Sequence, residues 1–478
     1  MADKGEHDTQ LKRGAVGLWH GVFQSFSFVA PAGDVAVLLI GTVAFAGSAS
    51  TLAVLLAWLI YGLWMNTPYQ FAKIKANAGS YYAYSAEVSK SRWLAPATLF
   101  TWMSENLTGP SFGILGLAGF LFLLSASLSS IPYLWVLFAT VITVYMGVLS
   151  YLGIRPSLNY VMYTGFAEAG FLLLGALIIV AELGRQNTVS VLTIPHGALS
   201  AVLFGVIFSI LDFTGLGTVT TVSEEISEPK KIVRKALVYA FLLSGVALII
   251  PAYALTVGWG LGNISSYASS PDPGLVVFGK FLGPVGLVLL IIFTINSYFS
   301  YGVAKANAVS RIWYSAARDG IILPKWFSHV HPKHRTPSHA LLGWLAITYA
   351  LSLAFGILYG PVNGALVLLT VAGIGIIFVH VFANSALTAY AMRTGKFDTF
   401  THGIIPIASS ILALIVVYYS VQSTLSSALS SPSLLNYGYI GATVGGLVWV
   451  AVGLAISAYY VRRKPDILAK AGKFDAEA

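Results

Sequence analysis

One apolar stretch follows another along this chain, each about 20 residues long, the length an α-helix needs to cross the hydrocarbon of a bilayer. The runs fall at 16–46, 51–72, 95–124, 132–151, 157–183 and 199–222 in the first half. In the second they fall at 236–259, 283–310, 336–356, 361–383, 404–420 and 437–461. A soluble fold has no use for them. With 57% hydrophobic and 9% charged residues, against about 25% charged in globular proteins, such a fold would lack a polar surface. The class is therefore an all-α integral membrane protein with about twelve transmembrane helices. Gly and Ser recur inside the runs, which suits close helix packing in lipid. Cysteine is absent, which excludes structural disulfides and thiolate metal sites. No HExxH occurs, and His329, His331, His334 and His339 gather in one loop, where a solvated basic loop is the simpler reading. No catalytic residue, metal or cofactor is expected. The opening "MADKGEHDTQLKRG" is polar, of mixed charge and without a cleavable signal pattern.

The formal net charge of +9 would suit nucleic acid, but its distribution points elsewhere. With the N-terminus inside, basic residues gather on the inner side: Lys4, Lys12 and Arg13, then Lys73, Lys75, Lys90 and Arg92, then Arg155. They continue through Lys230 to Lys235, Arg311 to Arg335, Arg393 and Lys396, and the tail from Arg462. Of the 27 Lys and Arg, only Arg185, Lys280 and Lys305 fall outside these loops. That asymmetry is the positive-inside pattern of a multi-pass protein in the cell (plasma) membrane with both termini cytoplasmic. The lipid bilayer, and no nucleic acid, is the expected partner.

Two runs are interrupted where a spanning helix should be most apolar. The first reads "FSFVAPAGDVAVLL" from Phe26, in which Pro31 removes a backbone donor, Gly33 weakens the helix and Asp34 follows. The sixth reads "FSILDFTGLGTVTTVSEEISEPKK" from Phe208, with Asp212 beside Gly215 and Gly217. They are five runs apart, an odd number, so the second unit starts from the opposite face. Matching interruptions in two oppositely oriented halves are the sequence pointer to a transporter's binding site. Unwound backbone is tolerated at mid-depth where a ligand or water pairs with the freed groups. Freed N–H groups favour a carboxylate and freed carbonyls an ammonium, a set that fits a zwitterion such as an α-amino acid. The plainer alternative is a pair of simple kinks with structurally paired acids.

Three stretches then carry a resemblance. "FTGLGTVTTVSEEISEPKKIVRKAL", "NAVSRIWYSAARDGIILPKWFSHVHPKHRTP" and "KANAGSYYAYSAE" resemble the sixth-span signature, the eighth-to-ninth connection and the Gly-Gly-x-Tyr motif of the amino acid–polyamine–organocation (APC) permeases. In the last motif Ala78 stands for the first Gly. The resemblance implies a LeuT-like fold of five plus five inverted spans with two more, and alternating access. It divides the chain into a cytoplasmic tail at 1–15, repeats at 16–184 and 198–384, two added helices at 385–462, and a tail at 463–478. It implies a substrate site on Ala30, Pro31, Ala32 and Gly33 and on Phe213, Thr214, Gly215 and Gly217, with Phe213 as lid. The span-one sequence Pro-Ala-Gly departs from the family's Gly-Ser-Gly, and Asp212 precedes Phe213 where the family's acid follows.

Asp34, Glu105, Glu168, Asp212 and Lys305 lie inside spans, at about 3 kcal/mol each on insertion scales, so each needs a partner, a proton or water. Asp34 and Asp212 hint at cationic amino acids or amines. Glu105 and Asn106 read equally as substrate contacts or as a helix–helix hydrogen-bond pair. Glu168, among apolar and small neighbours, reads as a protonatable coupling carboxyl, with Na⁺ as the open alternative. Its position is one where some APC members keep a lysine. Lys305 reads as an inner-gate residue paired with Glu224 or Glu225, or as a snorkelling side chain, and the run from Glu224 to Lys235 as a solvated loop. The function these residues support is proton-coupled secondary transport of amino acids or related amines. Sodium symport and exchange remain the alternatives. An ion channel would need a continuous wet pore. A hydrolase would need its "GPSFG" between a strand and a helix, whereas here it lies in a membrane run.

Overall fold

A computed structural model describes residues 10–477, and over them the chain is helical with one isolated backbone bridge, Val16 to Ile226. Lys4 and most of the tail expected at 1–15 lie outside the described residues, as does Ala478. Among the described residues ten helices are long and apolar enough to cross a membrane, from Leu39–Ala72 to Leu434–Arg463. The other two expected spans are in pieces. The first is built from Leu18–Val29, Pro31–Gly33, a π-helical turn over Asp34–Leu38 and Leu39–Ala46. The sixth is built from Leu199–Leu211, turns over 212–217 and a 3-10 helix over Thr218–Glu225.

The chemistry of each break is local. The ring of Pro31 disfavours helical backbone at the residue before it. Ala30 leaves the helix with φ 60° and ψ 57°, a left-handed conformation that costs a non-glycine residue about 1–2 kcal/mol. Pro31 then starts the next turn, where its missing N–H matters least. At the sixth span Gly215 adopts φ 105°, which glycine reaches freely. A third interruption is a bend: the helix Pro273–Asp319 turns at Gly283, φ 66°, beside Pro284, where the sequence reading begins its eighth span.

The helix Leu18–Val29 packs against Pro229–Trp259, Ile154–Leu183 and Pro273–Asp319, while Leu199–Leu211 packs against Leu39–Ala46 and Ser50–Ala72. The helix of the first span is thus flanked by continuous ones, while Leu199–Leu211 leaves Leu199, Leu203 and Leu211 exposed. Large apolar side chains such as Leu174, Val285 and Ile357 point outward, as a lipid-facing perimeter requires.

Both described ends of the chain meet one face. Val16 N donates to Glu225 O at 3.1 Å, and Lys230 pairs with Asp475 at 3.2 Å. Beneath this face lies a buried charge layer, where the sequence reading expected a solvated loop. Glu225 takes two hydrogen bonds from Arg311, at 2.9 and 3.2 Å, and Glu224 two from Arg318, at 2.9 and 3.0 Å. Both acids are buried. Arg311 and Arg318 lie two turns apart on one helix, so one helix face holds both forks. The segment after Arg463 straps across this layer. Leu468 and Ala471 are buried, Asn77 Nδ2 donates to Phe474 O at 2.8 Å, Gly472 N donates to Asp319 Oδ2 at 2.6 Å, and the Arg318 guanidinium sits 4.0 Å from the Phe474 ring centre.

Candidate functional site

The interruption in the sixth span opens onto a narrow enclosed cleft. Thr214, Gly215, Gly217, Thr218 and Thr221 form one wall, and Ser80, Tyr81, Trp102, Glu105 and Asn106 another. Phe28, Tyr61, Ala308, Val309, Ile312, Ile376 and His380 complete it. The space between these walls is small, with the aromatic side chains drawn in close.

Two kinds of polar group face this cleft. The first is freed backbone: Gly215 N donates to Tyr61 Oη at 3.1 Å, and Thr218 Oγ1 closes onto Gly215 O at 2.7 Å. The second is side chains with unmet bonds. Asn106 Nδ2 and His380 Nδ1 are buried without a hydrogen-bond partner among the described residues. Buried polar groups are almost always paired, so two orphans on one cleft make it the candidate binding site. His380 is caged by Trp64 at 4.9 Å and Tyr81 at 5.1 Å between ring centres.

The interruption in the first span is filled by protein. Ala32 N donates to Glu168 Oε1 at 2.9 Å. Ser297 Oγ donates to the same oxygen at 2.8 Å, and Asn296 Nδ2 to the other at 3.3 Å. Thr294 Oγ1 donates to Ala32 O at 3.3 Å. Glu168 therefore ties the unwound turn to the helix Pro273–Asp319, and the donor and acceptor that the break frees at Ala32 both find side chains.

Of the residues singled out from sequence, Glu105, Asn106, Thr214, Gly215 and Gly217 line the cleft. Ala30, Pro31, Ala32, Gly33, Asp34, Asp212 and Phe213 are outside its lining, all of them buried. Both carboxylate oxygens of Asp34, and Oδ2 of Asp212, lack a hydrogen-bond partner among the described residues. Asp34 lies within electrostatic reach of Asp212 and Glu168. Lys305 differs from its expected partner. It pairs with Glu105, not with Glu224 or Glu225, because those two acids are taken by Arg318 and Arg311. Sequence reasoning missed Phe28, Tyr61, Trp102 and His380. In a chain with 13% aromatic residues, nothing sets these four apart before the helices assemble. Among the described residues no three or more His, Cys, Asp or Glu side chains group as a metal site.

Comparison with known proteins follows the same lines. Over 174 residues the chain is 30% identical to the low-affinity putrescine importer PlaP of Escherichia coli strain K12, which covers 34% of this chain and 36% of that protein. It is 22% identical over 335 residues to the branched-chain amino acid permease BcaP of Bacillus subtilis strain 168, covering 64% and 62%. It is 26% identical over 299 residues to the uncharacterized protein MJ0609 of Methanocaldococcus jannaschii, covering 60% and 63%. In each case the match spans less than two thirds of the relative's own length. The amino acid permease family model, by contrast, matches residues 20–470, from the helix before the first break to the strap after the last span. With that match over nearly its whole length, the chain belongs to the amino acid permease family.

Proposed function

We propose that this protein is a secondary active transporter that moves amino acids or related amines across the cell membrane by alternating access, coupled to protons through Glu168. The observation that carries the reading is the cleft at the sixth-span break, where freed backbone, Asn106 and His380 face an aromatic-walled space. The substrate docks its charged backbone end on residues 214–217, with the unwound turn at 30–33 behind it. The relatives' names, a putrescine importer and a branched-chain amino acid permease, agree with a small amine-bearing substrate. In this reading the five-plus-five division at 16–184 and 198–384 holds, both termini are cytoplasmic, and the Arg311–Glu225 and Arg318–Glu224 forks form the inner gate.

Coupling follows from hydrogen-bond chemistry. An ionised carboxylate only accepts, and three donors converge on Glu168. A proton turns one acceptor position into a donor and releases part of the tie between the first span and residues 296–297. A differential of about 1.4 kcal/mol shifts a two-state equilibrium tenfold, so one weakened tie is enough to bias the carrier.

Purified protein in liposomes tests the proposal. Saturable counterflow of labelled amino acids, with accumulation driven by an imposed pH gradient, is the expected result. Ohmic current without counterflow would mean a channel, and accumulation that follows Na⁺ would assign the carboxyl to sodium.

A further inference from the structure

Resting on the transporter reading, we propose that Lys305 sets side-chain specificity: its ammonium occupies the position where a cationic substrate's distal amine would bind, so the carrier selects uncharged side chains. Glu105 and Phe28 both line the cleft, and the Lys305 ammonium lies between them. It pairs with the Glu105 carboxylate and stands 4.6 Å from the centre of the Phe28 ring. A carboxylate together with an aromatic face is the recognition chemistry of a primary ammonium. The ammonium that fills it here belongs to the chain.

Lys305 is fully buried, and Glu105 is its ion-pair partner among the described residues. A buried pair of this kind adds little stability over an apolar pair of equal volume, so stability alone does not account for it. Its electrostatic effect on the cleft is definite. Glu105 is the cleft's one acidic lining residue, and Lys305 cancels its charge. The remaining acids of the two breaks, Asp34 and Asp212, are outside the lining. A second ammonium reaching Glu105 would come within about 4 Å of Lys305, where like charges in a low-dielectric setting repel strongly. Discrimination therefore comes from a built-in repulsive element rather than from pocket size.

Norleucine and lysine differ by the distal amine, and putrescine carries two amines and no carboxylate. Competition for counterflow by these three in wild-type proteoliposomes is the first measurement. Norleucine is expected to compete at least tenfold better than lysine or putrescine. Lysine or putrescine competing as well as norleucine, with Lys305 intact, overturns the inference. Lys305→Met is then expected to raise the lysine-to-norleucine ratio of kcat/KM at least tenfold, through the KM for lysine. Glu105→Gln combined with Lys305→Met is expected to restore the wild-type preference, because it removes both charges. An unchanged ratio in Lys305→Met, or a double variant that still favours lysine, overturns the assignment. If Lys305→Met does not fold, the wild-type competition and the double variant decide. Absence of saturable flux for any of the three would remove the transporter reading itself, a result distinct from an inverted preference.

Discussion

The two breaks look alike in sequence and are treated differently by the fold. At the first, the N–H and C=O freed at Ala32 are taken up by Glu168 and Thr294. At the sixth, Gly215 N donates to the hydroxyl of Tyr61, a cleft wall, Gly215 O accepts from Thr218 of the same turn, and Thr214, Gly215 and Gly217 line the cleft. One interruption is fastened by side chains of two other helices and lies outside the cleft, while the other is closed by its own turn and one tyrosine and forms a cleft wall. In the proposed reading the difference separates two tasks that an inverted pair invites one to merge: contact with a ligand at the sixth span, and control of that contact at the first.

The strongest way to break the comparison is at the open side. Gly215→Leu places a Cβ against the ring of Phe28 at a residue with φ 105°. Overpacking of about 1–3 kcal/mol, added to backbone strain, is expected to cut substrate binding more than tenfold. The variant should still insert and run as a monodisperse species in detergent chromatography. Normal affinity in it would place the ligand elsewhere.

Glu168→Gln acts on the fastened side. The amide oxygen still accepts from Ala32, but no proton is taken up or released. Counterflow exchange is expected to persist within about threefold, a change of under 1 kcal/mol, while pH-driven accumulation is lost. Accumulation with wild-type pH dependence would move coupling to Asp34, Glu105 or Asp212. The smallest expected effect is that of Thr294→Val, which removes one donor to Ala32 O. It should lower stability by about 1 kcal/mol, read as a drop in Tm, with substrate affinity unchanged. An affinity loss as large as that of Gly215→Leu would mean the two breaks are not functionally separate.

How much of this could be read beforehand depended on contrast with an apolar background. Pro31, Gly215, Gly217 and the mid-span acids stood out because each is costly in lipid, and the interruptions fell where those residues predict. The bend at Gly283 was not singled out, because that glycine stands at the edge of an apolar run. Partnerships were not visible. Lys305 and Glu105 are 200 positions apart, and the sequence alone suggested Glu224 or Glu225 as the partner. Those two acids are buried because Arg311 and Arg318 arrive from a distant helix, a fact of assembly rather than of local composition. The cleft's aromatic walls were hidden in the opposite way, since Tyr61, Trp102 and His380 resemble ordinary packing residues. Only bringing their helices together leaves His380 Nδ1 without a partner among the described residues.

The strap after Arg463 carries a mechanical consequence. It is fastened to Asn77, to Arg92 through Ala471 O at 2.7 Å, to Asp319 and to Lys230, points that belong to separate segments of the chain. Bonds arranged in parallel share a load and yield together, so those segments can move apart only if the strap peels or all of them travel as one block. Glu87 anchors the same corner, taking 2.5 Å and 3.3 Å contacts from Lys75 and Arg92. Burial opposes its charge, but Lys75, Arg92 and Arg393 outweigh that and hold the carboxyl below its ordinary range. A depressed carboxylate contributes stability above that range and loses it only as pH falls through it. The fastening therefore stays fully charged at neutral pH, and it behaves as a fixed clamp across the segments it joins.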